Sequence, residues 1–204
     1  MELLFALLVF AGSTTITPGP NNIMMLASGV NFGVRKSLPH YLGICFGFPI
    51  MVMLVGCGLG VVFAQYPLIH QVINVIGIGY LLYLAWCIAD SAPQALDAKH
   101  AKPFSFWQAF AFQWVNPKAW IMATGAVAAY TTAGDSVYAQ VLLIAGVFFL
   151  VSFPCIGAWL CFGVGLKRFL KDPLHHKVFN ITMAFLLLAS MMPIVADLLS
   201  KHVG

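Results

Sequence analysis

Long apolar stretches alternate with short polar connections along the whole chain. A helix that crosses a bilayer needs roughly 20 apolar residues in succession, and six stretches reach this length, at 3–27, 38–63, 68–89, 106–130, 137–162 and 179–199. Strands of a membrane barrel would alternate apolar and polar residues over about ten positions, whereas a stretch such as YLLYLAWCIA is apolar on every side. The pattern therefore predicts an all-α integral membrane protein with six transmembrane helices.

The amino-acid composition excludes a soluble globular protein. Of the 204 residues, 61% are hydrophobic and 8% are charged, and the mean hydropathy is +0.93. So few polar side chains cannot cover the surface of a water-soluble fold of this size. We therefore expect one transmembrane domain over residues 1–204, embedded in a lipid bilayer.

The first apolar stretch has a second interpretation as a signal peptide. Its LLFALLVFAGS segment is a short apolar core followed by small residues. A signal peptide begins with basic residues, whereas the early charge here is Glu2, and apolar residues resume further along at IMMLA. We interpret the stretch as a retained helix.

Two of the apolar stretches contain a helix breaker. The first is TPGPNN at 17–22, and the second is QWVNPKAW at 113–120. Proline removes a backbone donor and obstructs the preceding turn, so carbonyl oxygens near Ile16 and Val115 leave the helical ladder. Polar groups in hydrocarbon need partners in protein or water. We therefore predict that helices 1 and 4 are interrupted around a polar pocket.

Lys118 is a charge well inside an apolar stretch. It lies about twelve residues into helix 4, roughly 18 Å along the axis, in a hydrocarbon core about 30 Å thick. A charged lysine there costs about 2.5 to 3.5 kcal/mol on insertion scales. Two explanations offset this cost: the side chain extends towards the membrane surface, or the ammonium lies in a polar cavity. We favour the cavity.

The two breakers occupy corresponding places, since each lies in the first helix of a three-helix half. A shift of 105 residues also aligns two FP dipeptides and the GxG that follows each, placing Phe48, Pro49, Gly58 and Gly60 on Phe153, Pro154, Gly163 and Gly165. Three spans per half make the halves run in opposite directions. We predict two inverted repeats, at about 1–90 and about 106–204, with a linker at about 91–105. Interrupted helices in matching places mark a transport site near the midplane.

The positive charges lie in alternate connections. Eight Lys and Arg follow helices 1, 3 and 5, namely Arg35, Lys36, Lys99, Lys102, Lys167, Arg168, Lys171 and Lys177. Cytoplasmic loops carry the excess of basic residues, so both termini should be periplasmic. The net charge of +4 is split among short loops, whereas nucleic-acid binding needs a contiguous basic face. We expect no nucleic-acid partner.

Other titratable side chains suggest little chemistry. The five cysteines lie in apolar stretches and form no CxxC pair, which indicates neither a disulfide framework nor a zinc site; we expect no metal and no cofactor. His40 and Asp90 are candidates for proton coupling. The simpler interpretations, which we favour, are an interfacial histidine that caps helix 2 and an interfacial charge. Glycine pairs four residues apart favour close helix packing, at Gly29 and Gly33, Gly43 and Gly47, and Gly56 and Gly60.

The breakers also carry a resemblance to a known family. The segments TPGPNN, GVRKSLPHYLGICFG, YLLYLAW and FQWVNPKAW occur here in order, and the whole chain is similar to the lysine exporter (LysE) family of amino-acid exporters, in its homoserine, threonine and cysteine exporter branch. The resemblance implies a bacterial inner-membrane exporter of amino acids or close derivatives, driven by protons and assembled as a homodimer. The short connection DSAPQALDAKHAKP between helices 3 and 4 puts added cytoplasmic regulation in doubt.

The candidate substrate-binding or translocation residues follow from the breakers and the matching family motifs. They are Thr17, Pro18, Gly19, Pro20, Asn21, Asn22, Gln113, Asn116, Pro117 and Lys118. A zwitterion needs a cation or a helix N-terminus for its carboxylate, and oxygens for its ammonium. No carboxylate lies in the middle of a stretch, so a small neutral amino acid is preferred to a basic one. The alternatives are a non-transporting membrane subunit or a membrane enzyme, which usually shows a His, Asp or Glu cluster.

The topology generates the first prediction. A cysteine at Arg35→Cys should be shielded from an impermeant thiol reagent applied outside the cell, whereas one at Gly134→Cys should react. Labelling of single-cysteine variants in intact cells measures this. The reverse pattern would place both termini in the cytoplasm.

Overall fold

A computed structural model of the chain describes residues 2–90, 103–132, 137–170, 172–190 and 192. Over these residues the regular elements are all helical, which confirms the all-α prediction. A π-helical segment, Val55–Leu59, and a 3₁₀ turn, Gln113–Val115, interrupt the α-helices. The α-helices are α1 (Glu2–Ile16), α2 (Pro20–Leu54), α3 (Gly60–Gln65), α4 (Pro67–Ala89), α5 (Phe106–Phe112), α6 (Pro117–Tyr130), α7 (Val137–Lys167) and α8 (Pro173–Ala189).

Two helical segments among the described residues are long and apolar enough to cross a membrane. They are Pro20–Leu59 and Val137–Lys167. Shorter apolar helices occur at Glu2–Ile16 and Val75–Ala89. The breaks at 17–19 and 113–116 divide the first and fourth predicted spans into shorter pieces. The arrangement of six spans in two repeats stays a prediction, and most of its linker lies outside the described residues.

The connection expected between helices 1 and 2 is a single kink. α2 continues past the predicted end of helix 1 at residue 27 and bends at Gly33, whose φ of 75° and ψ of 178° are not helical. This region of backbone space is accessible almost only to glycine. The kink separates two helical pieces, 20–32 and 34–54, and the predicted loop residues Arg35 and Lys36 begin the second piece. Gly33 therefore turns the chain instead of packing against a helix.

Two other helix boundaries differ from the predicted ones because of local interactions or backbone conformation. α8 begins at Pro173, six residues before the predicted start at 179, because the Asp172 carboxylate caps it and accepts from Leu174 N at 2.7 Å. Hydropathy alone missed this start, since the first turn contains His175 and His176. The second predicted helix loses its regular winding at Gly58, where φ is 112°.

Glycines let α2 approach its neighbours closely. A Cβ at Gly29 would lie 2.6 Å from Leu160 O on α7, and a Cβ at Gly47 would lie 2.9 Å from Phe110 Cα on α5. Gly43 and Gly56 are equally close to neighbouring elements, which confirms the packing expected for these four. Gly60 meets only ordinary contacts, so close packing was wrong there, as at Gly33.

The half-helices on either side of each break join different apolar clusters. α1 and α6 pack with the second piece of α2 and with α7, where Phe48 and Phe148 meet edge to face at 5.1 Å. The first piece of α2 packs with α4, α5 and α8 around Leu84, Phe112 and Leu187. The breaks therefore lie between these two clusters, while a third cluster, around Met25, Ile44 and Ile156, joins both pieces of α2 to α5 and α7.

Gly33 provides a test of the kink. Gly33→Ala should lower the free energy of unfolding by about 1 to 3 kcal/mol, because a Cβ strains this backbone conformation although no atom lies within 4 Å. Gly125→Ala in α6 is the matched control, since Gly125 has equal space and no positive φ. Thermal unfolding in detergent measures both, and equal stability of the two variants would refute a required kink.

Candidate functional site

The break in the first predicted helix leaves carbonyl oxygens that other residues satisfy. α1 ends at Ile16 and α2 begins at Pro20. Asn22 Nδ2 donates to Thr15 O at 2.9 Å and to Thr17 O at 2.7 Å, and the Trp159 indole donates to Ile16 O at 3.0 Å. Side chains thus replace the missing helical donors, as a buried helix end requires. The Ile16 carbonyl, which was predicted to leave the helical ladder, therefore already has a protein donor.

The second break is a 3₁₀ turn followed by one extended residue. α5 ends at Phe112, and Asn116 has a φ of −86° and a ψ of 111°. The Asn116 side chain caps α6 by accepting from Lys118 N at 3.1 Å, and Pro117 occupies the first turn. Both features are typical of a helix start. They explain why the chain restarts as a helix at this point.

A reciprocal pair of amides joins the two breaks. Asn21 Nδ2 donates to Gln113 Oε1 at 2.9 Å, and Gln113 Nε2 donates to Asn21 Oδ1 at 3.2 Å. Gln113 is completely buried and also donates to Ala109 O at 2.9 Å. Buried amides that are satisfied on both sides fix one relative position of their helices.

Lys118 makes the second connection between the breaks. Its Nζ donates to Thr17 O at 2.6 Å, to Thr17 Oγ1 at 2.8 Å and to Pro18 O at 3.2 Å. The ammonium therefore ends on protein oxygens at the C-terminal end of α1, where the helix dipole favours a cation. The side chain passes over Gly19, where a Cβ would lie 2.6 Å from Lys118 Cδ.

A small cavity lies between the breaks. Its volume is about 30 Å³, which is room for one or two water molecules. Gly19, Asn21, Asn22, Asn116 and Lys118 contribute to its polar side, while Thr17, Pro18 and Gln113 lie outside its lining. An apolar wall completes it, formed by Ile44, Phe48, Ala119, Met122 and Ile156.

Three buried polar atoms in this lining have no hydrogen-bond partner. They are Thr15 Oγ1, Asn22 Oδ1 and Ser152 Oγ. Their residues are only 7%, 2% and 0% exposed, and each unsatisfied group costs about 1 to 3 kcal/mol. Three such atoms around one small space indicate a site for a polar partner. Asn22 Oδ1 can only accept a hydrogen bond, whereas the two hydroxyls can accept or donate.

The restarting helices differ at their N-termini. Asn116 caps α6, whereas Gly19 gives α2 no side-chain cap. The first N–H groups of an uncapped helix, here those of Asn21 and Asn22, carry a partial positive charge and bind anions. Because Gly19 and Asn22, whose side-chain oxygen Oδ1 has no partner, both line the cavity, this end faces the same space.

Comparison with known proteins gives the chain its family. The model of the LysE type translocator family matches residues 13–194. The chain belongs to this family. It is 31% identical over 186 residues to the cysteine/O-acetylserine efflux protein of Escherichia coli K12, covering 91% of this chain and 93% of the relative. The same protein of E. coli O139:H28 is 30% identical over 187 residues, 91% of this chain and 94% of the relative.

Membership of the LysE type translocator family makes translocation, and not catalysis, the function class of the chain. The resemblance seen in the breaker motifs is thereby confirmed. No solved structure matches the chain. The arrangement of the breaks in this translocator is therefore inferred from the contacts of this chain alone.

The two proton-coupling candidates of this LysE translocator lie outside the cavity lining. His40 is completely buried, neither ring nitrogen has a partner, and its ring meets Phe104 edge to face at 5.1 Å. The interpretation of His40 as an interfacial cap was therefore wrong, because a capping ring would bond the backbone. Asp90 is exposed at the C-terminal end of α4, in keeping with an interfacial charge.

Thr14, Thr15 and Ser152 are the polar residues of the lining that sequence reasoning missed. Thr15 adjoins the first breaker, and Ser152 is an isolated polar residue in VFFLVSFPC. An isolated serine in an apolar helix usually bonds its own backbone, so the sequence gives no sign that Ser152 faces a cavity.

The close approach at Gly19 generates a prediction. Gly19→Ala should displace the Lys118 side chain and reduce stability by about 1 to 2 kcal/mol through weakened hydrogen bonds, while the backbone itself is unstrained, since φ is −178°. In a Lys118→Ala background, Gly19→Ala should leave the free energy of unfolding unchanged. Thermal unfolding of the four proteins forms a double-mutant cycle. An equal cost in both backgrounds would show that Lys118 is not what Gly19 accommodates.

Proposed function

We propose that this LysE type translocator exports a small neutral amino acid or a close derivative across the bacterial inner membrane, driven by the proton gradient. The relatives are named as efflux proteins for cysteine and O-acetylserine, and both compounds are small α-amino acids without a charged side chain near neutral pH. The direction of transport rests on those names, because an alternating-access site has no direction of its own.

The convergence of unpartnered oxygens on one cavity is the observation that supports this proposal most. Thr15 Oγ1, Asn22 Oδ1 and Ser152 Oγ can each accept a hydrogen bond, and an ammonium has three N–H donors. The lining contains no Asp or Glu. A second positive charge on the substrate would find no carboxylate there, which disfavours basic amino acids.

The carboxylate of the substrate would bind the N-terminal end of α2. The N–H groups of Asn21 and Asn22 have no side-chain cap, and helix N-termini at breaks bind anionic substrate groups in transporters. The carboxylate site and two of the three oxygens of the ammonium site, those of Thr15 and Asn22, then lie on the same short segment, and Ser152 faces them from α7. This spacing suits an α-amino acid, whose two charged groups share one carbon atom.

The apolar wall would face the substrate side chain. Phe48, Met122 and Ile156 leave little room beside the polar lining, so short side chains fit best. A whole amino acid is larger than the cavity of about 30 Å³, so binding must widen it. Separation of the two breaks would provide the space.

Crossed bonds between the breaks support an inverted repeat. Asn21 and Lys118 each follow the proline that starts a helix, and each side chain reaches the segment just before the proline of the other break. A pseudo-twofold axis would relate two such bonds. The repeat, periplasmic termini and a homodimer are parts of the proposal, as is proton coupling, for which His40 and Asp90 were the sequence candidates.

Efflux from proteoliposomes tests the proposal. The purified protein should exchange internal L-cysteine or O-acetyl-L-serine for external substrate, and Ser152→Ala should raise the KM about 10- to 100-fold, because a hydrogen bond to a charged group is worth about 1.5 to 3 kcal/mol. Ser13→Ala is the matched control, since Ser13 is an exposed residue of α1 that bonds Phe10 O at 3.1 Å.

Absence of exchange by the folded wild-type protein would contradict the exporter and favour a non-transporting membrane subunit. Equal KM values for the two serine variants would instead leave the exporter standing and move its substrate site away from the cavity.

A further inference from the structure

The ammonium of Lys118 occupies an oxygen site of the kind that binds a primary ammonium. The Thr17 carbonyl, the Thr17 hydroxyl and the Pro18 carbonyl accept its three hydrogen bonds at 2.6, 2.8 and 3.2 Å. These bonds use all three donors of a lysine ammonium. We call Thr17 O, Thr17 Oγ1 and Pro18 O the oxygen cage.

The oxygen cage adjoins the unpartnered oxygen of the cavity. Asn22 Nδ2 lies 2.7 Å from Thr17 O, so Asn22 Oδ1, on the same amide and without a partner, is within reach of an ammonium that also contacts Thr17 O. A substrate ammonium in the cavity and the Lys118 ammonium would therefore compete for neighbouring oxygens.

No negative side chain balances a second cation at this place. The cavity lining has no Asp, Glu or His, and the hydrogen bonds of Lys118 among the described residues go to uncharged oxygens. Among the helices around the cavity, α1 contributes Thr15 to the lining, α2 contributes Asn21 and Asn22, and α7 contributes Ser152. α7 also carries the Cys155 thiol, whose sulfur lies 3.9 Å from Gly12 O.

We propose that Lys118 is the proton-coupling residue, and that its ammonium is a tethered occupant of the oxygen cage that must leave as the neutral amine before the substrate ammonium can bind. This inference rests on the proposed exporter function and specifies its coupling step. It replaces His40 and Asp90, which lie outside the lining, in that role.

The proton balance gives one proton per substrate. When the site is open to the cytoplasm, the ammonium transfers one proton to water there and leaves the cage as the neutral amine, and the substrate binds. When the site is open to the periplasm, the substrate leaves, and the amine takes one proton from water on that side and returns to the cage. One proton thus enters for each substrate molecule exported.

Binding of a small ammonium ion tests the oxygen cage directly. Lys118→Ala removes the tethered occupant, so millimolar methylammonium should raise the thermal unfolding temperature of this variant and leave the wild-type protein unchanged. Tetramethylammonium is the matched control, because it has the same charge and no N–H donor. An equal response to both ions, or none to methylammonium, would overturn the cage.

The pH dependence of substrate binding tests the competition. In this proposal Lys118 is protonated between pH 5.5 and 7.5 and releases one proton when the substrate binds. The wild-type affinity for L-cysteine should therefore rise about tenfold for each unit by which the pH is raised in this range. Lys118→Met should bind independently of pH and at least as tightly as the wild-type protein at pH 7.5, yet show no net efflux driven by a pH gradient. Lys118→Arg should not restore efflux, because its guanidinium keeps its proton.

Weaker binding by Lys118→Met would overturn the proposal and make Lys118 a partner of the substrate carboxylate. An unchanged pH slope would overturn it in favour of a structural role. If the wild-type protein binds no L-cysteine, the proposed substrate class fails, and the methylammonium measurement still decides whether the cage exists.

Discussion

Hydrogen bonds to the carbonyl oxygens at the end of α1 are the constraint on which the rest of the site depends. A helix that stops inside hydrocarbon exposes carbonyls to a medium without donors, so the break can exist only where other residues supply N–H groups. Asn22 and Trp159 supply them for Thr15, Ile16 and Thr17, and Lys118 supplies them for Thr17 and Pro18. Because Trp159 and Lys118 belong to α7 and α6, the break also holds these helices beside α1.

The same bonds connect two apolar clusters that also meet through a third cluster, around Met25, Ile44 and Ile156. α1 and α6 belong to one apolar cluster, and the first piece of α2 and α5 belong to the other. The chain passes from one cluster to the other at each break. The hydrogen bonds that join the two breaks are those of the Asn21–Gln113 pair and of Lys118. Packed cores change position as units because they are not continuously deformable. A ligand that exchanges bonds at the breaks therefore acts where a small change can alter the relation of the two clusters.

The sequence predicted the breaks better than the contacts that stabilise them. The prolines at 18, 20 and 117 remove helical hydrogen bonds through local geometry alone. The breaks at TPGPNN and QWVNPKAW could therefore be predicted without knowledge of the fold. The burial of His40 and the exposure of Ser152 to a cavity depend on neighbours far along the chain, such as Phe104 and Asn22, and no local pattern encodes them. Gly33 was read as a packing residue because spacing alone does not distinguish a contact surface from a positive φ.

The two helix ends at the first break have opposite partial charges, and Lys118 can compensate only one of them. The end of α1 carries partial negative charge and the start of α2 carries partial positive charge, and only residues 17–19 separate them. This pair of opposite ends matches the two charges of a zwitterion. Without substrate, the positive start of α2 can be solvated by small polar groups, while the negative end of α1 holds the Lys118 ammonium. In the proposed exporter, a zwitterionic substrate would satisfy both ends at once, which a single lysine cannot do, and this difference would favour displacement of the Lys118 ammonium by the substrate.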